Sequence, residues 1–66
     1  MSEERKTYFE EGRLAAIGDP VVFTQNGEAG RVSAIRDHGN QALVRFESGY
    51  EAWLTMSSLW PNRSVS

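Results

Sequence analysis

From Val21 to Thr55 apolar and polar residues alternate in short runs, and a turn signal breaks the alternation roughly every ten residues. A period of two belongs to half-buried strands, and its regular interruption to an antiparallel meander, so most of this chain is committed to one small sheet. Four strands are legible. Val21 to Thr24 ends at Gln25-Asn26-Gly27, Arg31 to Arg36 at Asp37-His38-Gly39-Asn40, and Gln41 to Phe46 at Glu47-Ser48-Gly49; Glu51 to Thr55 is the fourth. Asn26-Gly27 predicts a tight two-residue hairpin, because both positions tolerate positive φ. Met56 to Trp60, before Pro61, reads as one tight helical turn, followed by a polar tail over 62–66.

Alternation also assigns faces, since successive strand side chains point to opposite sides of a sheet. Ala42, Val44 and Phe46 form one set with Ala52 and Leu54, the expected core. Leu43, Arg45 and Glu47 form the other with Glu51, Trp53 and Thr55. Trp53 is the odd member of that second set. A large ring among charged residues covers a neighbouring element or meets a partner, since either removes much apolar area from water.

Before the strands, Glu3 to Ile17 lacks proline and is rich in Glu, Arg, Leu and Ala, with Ser2 as N-cap and acids in the first turn. The pattern predicts a short N-terminal helix, stopped by Gly18 and Pro20. Residues 1–17 are then the helix, 18–61 the β-domain and 62–66 the tail of a single domain.

Sixty-six residues allow only one domain, near the size at which burial alone can stabilise a fold. A deep enzyme pocket is not expected in so small a chain. Cysteine is absent, which excludes disulfides and thiolate metal sites and suits a reducing cytoplasm, the expected location. The longest apolar runs, Leu14 to Ile17 and Val21 to Phe23, fall far short of the roughly 20 residues of a membrane helix. The acidic and polar start, Met1 to Lys6, reads as no targeting segment. The net charge of −2 divides as five acids and three bases over residues 1–20, but four of each over residues 21–66. A broadly basic, nucleic-acid-binding face is therefore not evident, although the four bases of the second part are all arginines, which grip carboxylate or phosphate in a bidentate manner.

The order of Gly18-Asp19-Pro20-Val21-Val22, Gly30-Arg31-Val32-Ser33-Ala34-Ile35, Val44-Arg45-Phe46-Glu47-Ser48-Gly49 and Leu59-Trp60-Pro61 resembles the Tudor and KOW group of SH3-like barrels over residues 18–61. The resemblance implies a small, strongly bent antiparallel barrel of four to five strands, with Asn62 to Val65 supplying the fifth. It also implies recognition of peptides, RNA or other proteins. Many Tudor domains hold methylated lysine or arginine in an aromatic cage. Phe23, Phe46, Tyr50 and Trp53 lie near the positions of such cages, but alternation sends Phe46 to the core.

The candidate binding residues are Tyr50, Trp53 and Trp60, near the third and last turns, with Arg31, Arg36 and Arg45. Loop aromatics of this kind suit a peptide or a stacked base. The competing reading has Trp53 packed on the helix through Tyr8 or Phe9 and Trp60 plugging the barrel. His38 is the sole histidine, and one histidine makes neither a metal site nor a catalytic triad; no serine sits in a nucleophile elbow and no phosphate-cradling loop is present. No catalytic residue, metal or cofactor is expected. The chain reads as a non-catalytic binding module for a protein or peptide, with RNA or DNA the lesser partner and no membrane role. The alternative is a self-assembling protein, a homo-oligomer joined through the helix or an open barrel edge. Type II dihydrofolate reductases, SH3-like barrels of similar length, form one active pore from four subunits. Their pore-facing Val-Gln-Ile-Tyr run has no match in Glu51-Ala52-Trp53-Leu54.

Overall fold

A computed structural model describes residues 7–9 and 12–62. Five strands form one antiparallel sheet: β1 (Pro20–Phe23), β2 (Ala29–Arg36), β3 (Gln41–Phe46), β4 (Glu51–Thr55) and β5 (Leu59–Pro61), with a 3-10 turn at Met56–Ser58 before β5. The spatial order is β4-β3-β2-β1-β5, so β1 pairs on its far side with β5 and the sheet does not close. The fifth strand thus lies at Leu59–Pro61, not over Asn62 to Val65, of which residues 63–65 are outside those described. The helical turn is correspondingly shorter than Met56 to Trp60. Leu59 is already extended, at φ −116° and ψ 136°, and its register partner is Phe23.

The β1–β2 connection is a hairpin but not the two-residue one that Asn-Gly predicts. Only Gly27 takes positive φ (75°), and the Gly27 N–H reaches back to the Phe23 carbonyl at 2.8 Å. Asn26 instead accepts the Glu28 N–H through its side chain at 2.9 Å, so a local side-chain bond wins over the left-handed conformation. Two consecutive non-glycine residues with positive φ do occur, at Asp37 and His38, where the sequence gives no Asn-Gly. At the β3–β4 turn Gly49 (φ 96°) donates to the Phe46 carbonyl while Phe46 donates to Tyr50, the three-residue loop with a glycine bulge.

The helix expected over Glu3 to Ile17 does not form in its described part; residues 3–6, 10 and 11 lie outside it. The cause is burial of Tyr8. Its side chain is almost wholly enclosed, and its N–H donates to the Leu59 carbonyl at 3.1 Å, which removes it from any helical ladder. Gly12 then turns the chain back at φ 76°, and Arg13 donates to Tyr8. Ala15 is buried as well, whereas Phe9, Leu14 and Ile17 stay largely exposed. A stripe so thin could not hold a helix against the sheet, because short helices in water depend on a packed apolar face.

The core comprises Tyr8, Ala15, Val21, Val32, Ala42, Val44, Phe46, Met56 and Leu59, edged by Phe23, Ile35, Ala52 and Leu54. Gly30 sits on this inner side opposite Phe46. A Cβ there would come within 2.7 Å of the Arg45 carbonyl oxygen and 2.8 Å of Val44 Cγ1, so the absence of a side chain is what lets the sheet fold over itself.

Leu59→Ala is expected to lower the unfolding free energy by about 2–5 kcal/mol, and Gly30→Ala by about 1–3 kcal/mol. Phe9→Ala should change it by about 0.5 kcal/mol or less. Urea unfolding followed by tryptophan fluorescence measures all three. A large loss on Phe9→Ala would mean that the N-terminal segment docks through a different ring.

Candidate functional site

The outward side of β2, β3 and β4 carries three cross-strand rungs. Arg31, Arg45 and Glu51 form the first, Ala34, Leu43 and Trp53 the second, and Arg36, Gln41 and Thr55 the third. Strict alternation would not allow this. Arg31 and Arg36 are an odd number of positions apart, so an unbroken strand would put them on opposite faces. A bulge at Ser33, between Val32 and Ala34, resets the register, turning Ile35 toward the core and Arg36 outward. The Ser33 hydroxyl donates to the Leu43 carbonyl at 3.3 Å across the irregularity. The bulge is the feature that sequence reading missed. Its signal was there: a six-residue strand with an arginine at each end cannot keep both in water without one.

The three arginines are held differently. Arg36 lies over the Trp53 ring, its Cζ 4.0 Å from the centroid, and its Nε donates to Gln41 Oε1 at 2.8 Å. Trp53 is thus covered from its own face by a cation, with 36% of its surface left exposed, and not by a helix. Arg31 Nη1 donates to the Gly18 carbonyl at 3.0 Å. Arg45 approaches Glu51 at only 3.8 Å with both side chains well exposed, a pair worth little in water. Arg31 and Arg45 stand directly opposite each other on neighbouring strands, an arrangement that costs stability because like charges meet.

The remaining candidates are elsewhere. Tyr50, 64% exposed, stacks on Phe46 with ring centroids 6.2 Å apart, and Phe46 meets Phe23 at 6.3 Å. These rings run from the core to the β3–β4 turn. Phe46 is buried, so Phe23, Phe46, Tyr50 and Trp53 do not assemble a cage. Trp60 is half-buried on β5, opposite Val22, at the other end of the strand order from Trp53. Of the six candidate residues the structure therefore gathers Arg31, Arg36, Arg45 and Trp53 and separates Tyr50 and Trp60. His38 is an exposed turn residue.

A hollow of about 140 Å³ lies between Tyr8, Arg13, Asp19, Pro20, Pro61 and Asn62, small beside the roughly 300–1,000 Å³ of ligand pockets. Among the described residues, no group of three histidine, aspartate or glutamate side chains is placed to hold a metal ion, and no helix is long and apolar enough to cross a membrane. Comparison of the chain with protein-family models, with curated proteins and with solved structures finds no match.

Arg36→Ala should shift Trp53 emission to the red and lower stability by about 0.5–1 kcal/mol. An unchanged spectrum would show that the guanidinium does not shield the ring in solution.

Proposed function

We propose that this protein is a non-catalytic binding module of the SH3-like kind that grips an acidic protein segment on the outer face of β2, β3 and β4. The return of β5 to β1 after a 3-10 turn supports the SH3-like reading of the sheet. The observation that carries the function is the opposed pair Arg31 and Arg45. A local rule of sheet stability is broken there, offset only by the bond from Arg31 to the Gly18 carbonyl and a weak contact of Arg45 to Glu51, and such breaks concentrate at functional sites. A partner carboxylate bridging the two guanidinium groups removes the repulsion and gains bidentate hydrogen bonds. Leu43 and Trp53 offer the adjoining apolar contact.

A peptide suits this face better than a nucleic acid. Arg36 already occupies a face of Trp53 where a base would stack. Arginines as few as these give a weak phosphate grip, and the chain as a whole is acidic.

An NMR titration with a glutamate-rich peptide containing one aromatic residue tests the reading. Shifts should centre on Arg31, Arg36, Arg45 and Trp53, weaken as salt rises, and vanish in the folded double variant Arg31→Glu/Arg45→Glu. A response to an unstructured oligonucleotide with none to the peptide would overturn the choice of partner.

A further inference from the structure

The two edges of the sheet are treated differently. Residues of an antiparallel strand alternately direct their backbone groups toward the neighbour and away from it. On β5 the outward groups belong to Leu59 and Pro61, because Thr24 donates to Ser58 and Asn62 donates to Pro20 across the β1 side. Apart from the Pro61 carbonyl, these outward groups are closed off. The Leu59 N–H is bonded to the Met56 carbonyl, the Leu59 carbonyl accepts the Tyr8 N–H, and Pro61 has no N–H.

On β4 the Phe46-to-Tyr50 hydrogen bond fixes the phase, so Glu51, Trp53 and Thr55 direct their backbone groups away from β3. Among the described residues nothing bonds to the outward groups of Glu51 and Trp53, while the Thr55 carbonyl is engaged by the 3-10 turn it caps and by the Ser58 hydroxyl at 2.8 Å. The strand is regular in register and has no proline, lysine or bulge, so its length of only five residues and the charge of Glu51 are its own protection as an edge.

We infer that β4 is an interaction edge, and that its occupant is the β4 of a second copy, paired antiparallel about a two-fold axis at Trp53. The sequence of the strand is self-complementary in that register. Trp53 faces its counterpart, which extends the row Ala34-Leu43-Trp53 into a continuous apolar stripe across the axis. Glu51 faces Thr55 of the second copy, beyond which lie that copy's Gln41 and Arg36, so no like charges oppose one another. On the inner side Ala52 meets Leu54 of the second copy. Both are only half-buried within one chain, and the pairing covers them. An unrelated extended peptide would satisfy the backbone groups but not this symmetry of side chains. Arg31 and Arg45 stay open in the dimer, whereas Trp53 serves both the axis and the outer face.

Sedimentation equilibrium of the full chain at rising concentration should approach twice the chain mass of 7.4 kDa. Trp53→Lys brings two cations together at the axis and should weaken self-association by about ten-fold or more. The register is read independently by cysteine pairing, which has no background because the chain contains none. Opposed residues lie about 5.5 Å apart at Cα, within disulfide reach, so a mixture of Glu51→Cys and Thr55→Cys proteins should cross-link under mild oxidation while neither alone does. A monomer at every concentration overturns the inference, as does a dimer in which the mixture fails to cross-link. Where Trp53→Lys does not fold, the cross-linking result decides.

Discussion

The structure depends on the bend of β2. This is the longest strand, and it pairs with β1 through its first residues and with β3 along most of its length. Two local devices shape it. Gly30 lets the Arg45 carbonyl and the Val44 side chain approach the backbone, and the irregularity at Ser33 inserts one residue and changes which side chains face inward. Without the first, β2 could not lie this close to β3 at Val44 and Arg45. Without the second, Ile35 would lie in water and Arg36 in the apolar interior. The outer face is therefore a by-product of how the core is filled.

Much of this was legible from the residues. The period of two from Val21 onward located the first four strands to within a few positions and separated Ala42, Val44 and Phe46 from Leu43 and Arg45, because on a half-buried sheet that separation is the dominant energetic constraint. The N-terminal segment was not legible, for a physical reason. Good helix formers between Glu3 and Ile17 express a local preference of tenths of a kcal/mol per residue, and burying Tyr8 against Leu59 outweighs their sum. Nothing local announces a contact between positions so distant in sequence.

The site was legible as a list and not as an arrangement. Residue type alone picks out arginines and tryptophans, but grouping them requires knowing strand register, and one inserted residue reverses it. Trp53 was read correctly as an outward ring needing cover. The cover is a guanidinium from two strands away, which follows only once Arg36 is known to share its face. Tyr50 and Trp60 look close to Trp53 in sequence, yet Tyr50 continues the core aromatics and Trp60 belongs to the opposite end of the strand order.

The bond from Tyr8 to the Leu59 carbonyl has a kinetic meaning as well as a structural one. The β1–β2, β2–β3 and β3–β4 pairings are hairpins between neighbours in the chain, and such contacts form in microseconds. The β1–β5 pairing and the Tyr8 contact instead join segments separated by roughly forty to fifty residues, whose closure must wait until that entropy is paid. These two closures therefore carry more of the entropic cost of ordering the chain than any of the hairpins does. By bonding to the side of Leu59 that faces away from β1, Tyr8 ties the segment ahead of β1 to the last strand, so the two ends of the described chain hold one another in place.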